Sequence, residues 1–562
     1  MRELARSAGV SDTLARLLVA RGVAANDVAD VLEPTLKRLL PEPLSLKDMD
    51  IAVARARAAL EGGEAIAVFG DYDVDGSSSA ALLSDFFTAI GRRPRLYIPD
   101  RLTEGYGPSA RALLQLQSEG AALVITVDCG AGAASALQAA RDAGLDVVVL
   151  DHHAVEHTPP AIAHVNPNQP GDTSGLGHLC AAGVTFLFVV ALNRALRDSG
   201  WYVSQGIAEP DLRAFVDLVG LATICDVVPL LGVNRAFVRA GLARIAAGDR
   251  PGLAALAAVA GAGAPFTPHH LGFVLGPRIN AGGRVGRCSL GAELLSARDL
   301  AEAEPLARLL DTHNRERQAI EAIILEEAMA AAAADNDGPF LLVAGEGWHS
   351  GVVGIVAGRL KERFSKPSFV AGLEGGLGRG SARSVVGVDV GAAVRAAREA
   401  GILEAGGGHA MAAGFSLTAE QLAPFRAFLE RWFEARAVSS SPAELALDVA
   451  ISASGATQAL VDEIARIGPF GAGNPEPVCA ALDVKVAFAD VVGQNHVRLK
   501  LAGRDGSRLD AIAFRAADTA LGQALLKTRG APVHVAGTLK SDTWNGRSRV
   551  QMIVEDAGPA TP

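Results

Sequence analysis

Apolar runs with the length of buried strands alternate with amphipathic stretches in the first third of the chain. The strand-like runs lie at 64–70, 95–99, 121–127 and 146–150, and helical spacing separates them at about 77–91, 107–118 and 131–143. Strands that alternate with helices predict a parallel sheet covered by helices on both faces. Two further helices are predicted at about 178–198 and 210–224, so the pattern indicates an α/β domain that ends in a helical part.

A long run of helix-forming residues follows this domain and divides the chain. Residues 299–333 fit one helix, with Asp299 as its N-cap and Pro305 in its first turns. We expect this helix to be a rigid connector between two lobes. A second, smaller region then alternates strands with helices, and short strands recur from residue 444 onward, which predicts a small β-barrel of the OB type.

These patterns divide the 562 residues into five parts, because one hydrophobic core rarely grows to this size. The predicted parts are an N-terminal helical segment (1–44), a parallel-sheet α/β domain (45–298), the connector helix (299–335), a smaller α/β domain (336–437) and the OB-like barrel (438–562). The stretch 438-VSSSP-442 has the composition of a linker before the barrel.

Composition narrows the classes of protein to which the chain can belong. Hydrophobic residues make up 49% and charged residues 20%, which is ordinary for globular proteins. The longest apolar runs are shorter than the ~20 residues of a membrane span, and the charged first twenty residues do not resemble a secretory signal. Five cysteines without a CxxC pair favour a reduced, cytoplasmic protein without a disulfide framework or zinc ribbon, and no membrane partner is expected.

The net charge of −10 argues mildly against a nucleic-acid partner. Bound cations would neutralise some carboxylates, however, and a local groove matters more than the total charge. The arginines do cluster along the sequence, at positions 92, 93, 95 and 101, at 278, 284 and 287, and at 379 and 383.

The strongest chemical signal is the run 70-GDYDVDGSSS-79, which follows an apolar strand and precedes a helix. Asp71, Asp73 and Asp75 alternate, so we expect their side chains to point the same way in an extended turn. Three carboxylates so close repel one another unless a cation holds them. The spacing is also that of an EF-hand loop start, but no Glu stands at its twelfth position and a strand precedes it.

Further acidic and imidazole side chains stand at the ends of other apolar runs. Asp128 follows the run 124-VITV-127, although an aspartate at this position could equally be a helix N-cap. Asp151, His152 and His153 directly follow another predicted strand. Asp226 ends an apolar helical run, where its charge opposes the helix dipole and needs a cation or a nearby arginine. Carboxylates with imidazole and no thiolate suit Mn²⁺ or Mg²⁺, and five to six ligands fit two ions with a bridging carboxylate.

Together these runs resemble the DHH phosphoesterase superfamily, named for its Asp-His-His signature, which stands here at 151–153. Within it the chain resembles the RecJ family of single-stranded-DNA-specific 5′→3′ exonucleases, over nearly its whole length. The run 276-GPRINAGGRVG-286 is part of that likeness, 406-GGGHAMAAG-414 resembles the signature of the DHHA1 domain, and the barrel resembles the RecJ OB domain.

The resemblance implies a ligand set for two ions, either Mn²⁺ or Mg²⁺. Asp73 and Asp128 would bind the first ion, and the second would be bound by Asp75, Asp128, His152 and Asp226, with Asp128 as the bridge.

It also implies that Asp75, Asp128 and His153 form the catalytic group, with His153 contacting the scissile phosphate or transferring a proton. Small DHH relatives supply a histidine at the position of Phe69, so the first ion would be bound more weakly or Asp71 would compensate.

An exonuclease must recognise a strand end, and 376-GLGRGSARS-384 has residues suited to that task. Glycines let the backbone approach a phosphate, and arginine offers a forked contact, although an exposed hairpin loop is an equal alternative from the residues alone. With the resemblance, Ser381 and Arg383 resemble a pocket for the terminal 5′-phosphate. The other residues expected to bind substrate are Arg101, Arg278 or Arg284, Asn280 and His409.

The implied activity is release of 5′-mononucleotides from single-stranded DNA in repair and recombination, by a monomer with a helicase and a single-strand-binding protein as further partners. The barrel would add stacking side chains, for which Trp544, His496 and Phe470 are candidates. Two alternatives remain open: a DHH phosphodiesterase for oligoribonucleotides or cyclic dinucleotides, and a non-catalytic scaffold in a replication complex.

Overall fold

Residues 2–101, 103–436, 444–528, 530–544 and 547–560 are described by a computed structural model, with side chains left out for 2, 3 and 542–548. The first elements are short helices that precede the α/β domain: α1 (Arg2–Ala8), α2 (Asp12–Ala20), α3 (Val28–Leu32) and α4 (Leu36–Leu39). Buried leucines of α2 pack into the core of the C-terminal barrel, so this segment is attached to the far end of the chain.

The α/β domain is built on five parallel strands in the order β2-β1-β3-β4-β5, with helices on both faces. Its elements are α5 (Met49–Gly62), β1 (Ile66–Gly70), α6 (Val74–Ala89), β2 (Arg95–Tyr97), α7 (Ala110–Ser118), β3 (Leu123–Val127), α8 (Ala134–Asp142), β4 (Asp146–Leu150) and β5 (Ala163–Val165). All five residues of β1 and of β3 are buried, which explains why they read as unbroken apolar runs. The three-residue β5 was not predicted, because its sequence 163-AHV-165 places a histidine in the middle of a very short run.

A helical part completes this domain and packs on the same core. It contains α9 (Ala181–Asp198), α10 (Trp201–Gln205), α11 (Val216–Cys225), α12 (Val233–Ala247), α13 (Pro251–Val259), α14 (Gly276–Val285) and α15 (Leu290–Leu295). A π-helical turn, His270–Leu275, leads directly into α14.

The predicted connector helix is α16 (Leu300–Ala334), and Asp299 caps it by accepting from the backbone N–H of Glu302. The second lobe follows with β6 (Leu341–Glu346), α17 (Val353–Phe364), β7 (Ser368–Glu374), β8 (Leu377–Arg383), α18 (Val390–Glu399), β9 (Ala405–His409), β10 (Ala412–Thr418) and α19 (Leu422–Glu434). Its mixed sheet has the order β6-β7-β8-β10-β9. Ser381 and Arg383 lie within β8, so the alternative of an exposed hairpin loop is wrong for them.

The barrel contains β11 (Val449–Ile451), α20 (Gln458–Ala465), β12 (Cys479–Val492), β13 (His496–Ala502), β14 (Arg508–Ala513), α21 (Ala520–Lys527), β15 (Pro532–Trp544) and β16 (Arg547–Pro559). Pairing of β12 with β15 closes five of its strands into a ring. The predicted fold class is therefore confirmed in all four of its parts. Within the described ranges, every helix is too short or too polar to cross a bilayer.

Candidate metal centre and strand-end pocket

Three neighbouring strands of the parallel sheet end level with one another, and an aspartate follows each. The last residues of β1, β3 and β4 are paired across the sheet. Asp71, Asp128 and Asp151 come next, and the backbone N–H of each donates to the last carbonyl of the neighbouring strand, over 3.3, 3.1 and 3.1 Å. The register of the sheet therefore brings these carboxylates to one edge, as expected for a site at the carboxyl ends of parallel strands.

The three aspartates of the 71–75 run do not share one extended turn, because α6 begins at Val74. Asp73 is the N-cap of that helix and accepts from the backbone N–H of Gly76 over 3.0 Å. Asp75 lies in the first helical turn, and its two oxygens accept from the backbone N–H groups of Ala181 and Ala182 at the start of α9. The prediction of a common direction is wrong for Asp75, which a helix start turns toward a different group of ligands.

Glycine is required at position 76, inside the same run. A Cβ atom there would lie 2.5 Å from the backbone oxygen of Asp71, so any larger residue would separate the loop from the helix that follows it. The loop is further held by Asn280 of α14, whose side-chain oxygen accepts from the backbone N–H of Val74 over 3.1 Å.

Asp128 adopts a left-handed backbone conformation, with φ of 59°. This conformation is costly for a residue other than glycine and persists where surrounding contacts impose it. One such contact is the hydroxyl of Tyr106, which donates to the Asp128 carbonyl over 3.0 Å and lies 3.4 Å from Nδ1 of His153. The N-cap of α8 is Ala133, so the alternative reading of Asp128 as a helix cap is wrong.

Asp151 shapes the Asp-His-His turn instead of facing the other carboxylates. It is buried and accepts from the backbone N–H groups of Ala131, His152 and His153, and from Nδ1 of His153 over 2.7 Å. These hydrogen bonds, the one from His153 first among them, outweigh burial and lower the pKa of Asp151. Asp151 is thus an ionised group that fixes the orientation of the His153 ring.

His152 faces the cluster with Nε2. That atom lies 3.4 Å from Asp128, 3.7 Å from Asp226 and 3.9 Å from Asp75, measured to carboxylate oxygens. Burial and the neighbouring His153 lower the pKa of His152 to about 4, so the ring is neutral at physiological pH. Asp226 caps the C-terminus of α11, where the helix dipole disfavours its charge.

The carboxylates of the cluster resist ionisation in the absence of a cation. Burial raises the pKa of Asp71 and of Asp128 well above their usual range, and neighbouring carboxylates add to it. Burial, reinforced by nearby aspartates, raises the pKa of Asp75 to about 7 and that of Asp226 to about 9. Four neighbouring acids with raised pKa values, three of them buried, favour the binding of positive charge.

The donor atoms divide into groups that fit divalent cations. Three sets have ligand atoms within 4.8 Å of one another: Asp71, Asp73 and Asp128; Asp75, His152 and Asp226; and Asp128, His152 and His153. Oδ1 of Asp71, Nε2 of His152 and Oδ2 of Asp226 are buried and have no hydrogen-bond partner among the described residues. Buried atoms of this kind normally find partners, and oxygen with imidazole nitrogen is the donor set of Mn²⁺ and Mg²⁺.

Phe69 stands where small DHH relatives carry a histidine, and here it belongs to the core. It is fully buried and stacks on Tyr97 with 5.2 Å between ring centroids. Asp71 occupies the first ligand group in its place, together with Asp73 and Asp128.

A second cluster, of arginines, adjoins the acids. Arg101 lies over the ring of Tyr72, and Arg284 donates to the carbonyl of Gly351 in the second lobe over 2.9 Å. Burial first, then the neighbouring Arg101, lowers the pKa of Arg284 to about 10 and also lowers the pKa of Arg383. These three guanidinium groups come from both lobes and are close enough to repel one another, so they fit an anion between them.

Ser381 lies beside Arg383, whose Nη1 donates to the serine hydroxyl oxygen over 2.9 Å. The start of α17 packs closely against this pair, because a Cβ atom on Gly354 would lie 3.1 Å from the Ser381 hydroxyl and 3.2 Å from Nη2 of Arg383. The pocket is therefore formed by a strand and a helix start of the second lobe.

The remaining predicted substrate residues have different surroundings. Arg278 forms an ion pair with Asp311 of the connector helix over 2.9 Å and also donates to the carbonyl of Val274. Its guanidinium is thus held against α16, which leaves Arg284 as the better candidate of the two. Asn280 holds the 71–75 loop, as described above, and lines the same cleft as Arg284, and His409 is exposed at the end of β9.

The three barrel residues predicted to stack on bases have different surroundings. Phe470 is partly buried against the barrel core and lines a groove beside the catalytic domain. His496 uses Nδ1 to accept from the backbone N–H of Arg515 and packs edge-on against the exposed Phe514. The side chain of Trp544 lies outside the described residues.

Sequence reasoning missed three residues that hold the site together. Tyr106 holds Asp128, whereas Asn166 and Asn168 donate to the carbonyls of His153 and His152, over 2.8 and 2.6 Å. A signal existed in the run 165-VNPNQ-169, since asparagines around a proline after a strand mark a structured turn. No comparable signal marked Tyr106, which reaches the site from a loop.

Family models match three parts of this chain. Residues 65–214 match the model of the DHH family, N-terminal domain, residues 337–435 match the DHHA1 domain, and residues 447–556 match the RecJ OB domain. The three matches together span both lobes and the barrel.

Named relatives match nearly the whole chain. The single-stranded-DNA-specific exonuclease RecJ of Escherichia coli (strain K12) is 35% identical over 566 residues, which cover 97% of this chain and 96% of that protein. The crystal structure of RecJ in complex with Mn²⁺ from Thermus thermophilus has a TM-score of 0.84 at 30% identity, covering 100% of this chain and 78% of that one. The corresponding Mg²⁺ complex has a TM-score of 0.75 at 29% identity, over 99% and 76%.

Proposed function

This chain belongs to the RecJ family of single-stranded-DNA-specific exonucleases, and on that premise we propose that it removes mononucleotides from the 5′ end of single-stranded DNA, with Mn²⁺ or Mg²⁺ as cofactor. The observation that carries the proposal is that a cluster of carboxylates, which requires cations, lies next to a cluster of partly buried arginines, which requires an anion. A phosphodiester bound through divalent cations satisfies both clusters.

Each ion has its own set of ligands in this proposal. Asp71, Asp73 and Asp128 hold the first, and Asp75, His152 and Asp226 hold the second, with Asp128 near enough to His152 to serve both. When bound, the pair of cations activates the attacking water and neutralises charge on the phosphate oxygens.

His153 is the proposed proton donor to the substrate. Burial alone would lower its pKa, but the hydrogen bond to Asp151 and the surrounding carboxylates prevail and raise the pKa to about 9. The ring therefore carries two protons near neutral pH. Nδ1 donates to Asp151, and Nε2 remains available for an oxygen of the scissile phosphate.

The arginine pocket determines which bond is cut. Arg383 and Ser381 of the second lobe, with Arg101 and Arg284 of the first, bind the terminal 5′-phosphate. The next phosphodiester then lies over the acidic cluster. Water adds to its phosphorus, the bond to the 3′ oxygen of the first nucleotide breaks, and that oxygen takes a proton, so a 5′-mononucleotide leaves and the shortened strand carries a new 5′-phosphate.

Finer features of the function are also proposals. The gap between the lobes admits one strand and excludes a duplex, the chain acts as a monomer, and a helicase and a single-strand-binding protein supply its substrate. All five cysteines are free thiols, which suits the reducing cytoplasm as the place of action.

The proposal is tested by digesting single- and double-stranded DNA labelled at either end, with Mn²⁺, Mg²⁺ or EDTA. We expect mononucleotides from the 5′ end of the single strand only, and none in EDTA. Faster hydrolysis of a dinucleotide than of a long 5′-phosphorylated strand would instead favour the small-substrate phosphodiesterase, and no hydrolysis of either would favour the scaffold.

A further inference from the structure

A cleft rich in arginine runs between the connector helix, the second lobe and the barrel. Its volume is about 790 Å³. Five guanidinium groups and two carboxylates line it, so its net charge is positive. Glu321 forms ion pairs with Arg317 and Arg359, and Glu362 forms one with Arg359, which leaves three of the arginines without an ion pair among the described residues. The arginines are Arg284 of α14, Arg317 of α16, Arg359 and Arg363 of α17, and Arg515 after β14.

An exposed aromatic pair stands at the edge of this cleft, on the turn that precedes α14. Phe273 is 74% exposed, and the ring of His269 stacks on it at 5.0 Å with an angle of 22° between the planes. Phe273 also lines a second groove, of about 1260 Å³, between the catalytic domain and the barrel. This exposed aromatic side chain therefore lines both clefts and is accessible to a ligand that enters either of them.

The backbone of this turn is unusual for a surface helix. Residues His270–Leu275 are π-helical, a conformation that is rare and often lies at functional sites. The turn packs on the end of α11 that carries Asp226: the thiol of Cys225 donates to the carbonyl of Leu271, and a Cβ atom on Gly272 would lie 3.3 Å from Ile224. The turn that carries Phe273 is thus packed against the end of α11.

We propose that His269 and Phe273 form a base-stacking site for the DNA strand, and that the arginine-rich cleft binds the phosphates next to it. The inference rests on the proposed function and adds a site in the catalytic domain itself, apart from the barrel. Every base has a flat face, so stacking on Phe273 is independent of sequence. Phe273 and the guanidinium groups line the same cleft, so the backbone of a strand stacked on the ring would enter it.

The test measures DNA binding directly, so that it does not depend on cleavage. An oligodeoxynucleotide of about 20 nucleotides, with 2-aminopurine at successive positions, is titrated with wild-type protein in EDTA and with the variants F273A, F273L and F273W. We expect quenching of the probe at one or two positions with wild type and F273W. F273A and F273L should bind roughly ten- to hundredfold more weakly and lose that quenching.

The matched control is V203A, which truncates an apolar side chain that is 88% exposed on α10 and should bind like wild type. Equal affinity of F273A and wild type, or quenching that persists in F273A, would overturn the stacking site. If wild type bound the oligomer but released no nucleotides from it once Mn²⁺ or Mg²⁺ replaced EDTA, the proposed function would fail, and the ratio of the two affinities measured in EDTA would still decide the stacking site.

The phosphate part of the inference has its own measurement. Arg363 is exposed in the cleft, and R363A should make the slope of log Kd against log salt shallower by about 0.7. R141A, at an exposed arginine in the last turn of α8, should leave the slope as in wild type. An unchanged slope in R363A would remove that arginine from the strand's path.

Discussion

Two clusters of like charge lie side by side in this protein, and they are assembled in different ways. In the acidic cluster, burial and mutual repulsion raise the pKa of carboxyls such as Asp128 and Asp226. In the basic cluster, burial and repulsion lower the pKa of Arg284 and Arg383. In each cluster the like charges repel one another. Cations would relieve the repulsion in the acidic cluster, and a phosphate would relieve it in the basic cluster.

The difference lies in where the side chains come from. The acidic cluster is formed within one domain, by strand ends in register and one helix terminus. The basic cluster joins Arg101 and Arg284 of the first lobe to Arg383 of the second, so it exists only when the lobes are in place. On the proposed function, hydrolysis and recognition of the strand end depend on separate sets of residues, and they should respond separately to mutation.

The largest effect is expected from Asp128→Asn, because Asp128 stands in two of the three ligand groups. Asparagine tolerates the left-handed backbone of this position, so the fold should persist. We expect kcat to fall at least about a thousandfold, as for the loss of a central electrostatic group. Release of nucleotide from a 5′-labelled strand measures it. D198N, at an exposed aspartate of α9, is the control, and near-wild-type activity of D128N would refute the shared-ligand assignment.

The second-largest effect is expected from a substitution in the basic cluster, which should change substrate binding and not the chemical step. Arg383→Ala should raise KM for a 5′-phosphorylated strand by roughly ten- to hundredfold, the range for a hydrogen bond to a charged group, and should remove the preference for a 5′-phosphate over a 5′-hydroxyl. Arg379 on the same strand is exposed, so R379A serves as the matched control. A loss of kcat alone, with the phosphate preference intact, would contradict the division into two clusters.

Removal of the cations should make stability depend on pH. Burial, then nearby acids, raises the pKa of Asp75 to about 7 and of Asp226 to about 9, whereas an unfolded aspartate titrates near about 3.9. In between, the folded state holds more protons, so the free energy of unfolding falls as pH rises from about 4 to about 9. Urea unfolding in EDTA should show a loss of a few kcal/mol, and Mn²⁺ should restore it at pH 9. A flat profile in EDTA would contradict this.

The smallest effect concerns the residue that holds Asp128 in its strained conformation. Tyr106→Phe removes one hydrogen bond, from the hydroxyl to the Asp128 carbonyl, and should lower kcat about three- to tenfold. Y202F is the control, since it removes a buried hydroxyl that donates to Asn193, away from the site. It should lower stability while activity stays unchanged. Equal activities of the two variants would exclude a positioning role for Tyr106.

The comparison also explains how much the sequence could predict. Ligands at strand ends were predictable, because a parallel sheet places successive strand ends at one edge whatever the detailed packing. The direction of the Asp75 side chain was not predictable, since it depends on where α6 begins.

For the basic cluster, the sequence showed only that arginines are concentrated in certain stretches and did not show which of them meet. Arg278 and Arg284 lie six residues apart on α14, about 120° apart around its axis, and only the tertiary partner Asp311 shows which of them is occupied elsewhere. Tyr106 and the two asparagines of the 165–169 turn donate to backbone carbonyls, and although the sequence marked that turn, it did not show these contacts.

The central claim is that the acidic cluster binds a pair of divalent cations, and crystals grown with Mn²⁺ test it most directly through anomalous scattering. Two peaks should be found in each chain, one among Asp71, Asp73 and Asp128 and the other among Asp75, His152 and Asp226. A single peak elsewhere, or an empty cluster in crystals of protein that cuts DNA with the same Mn²⁺, would contradict the account.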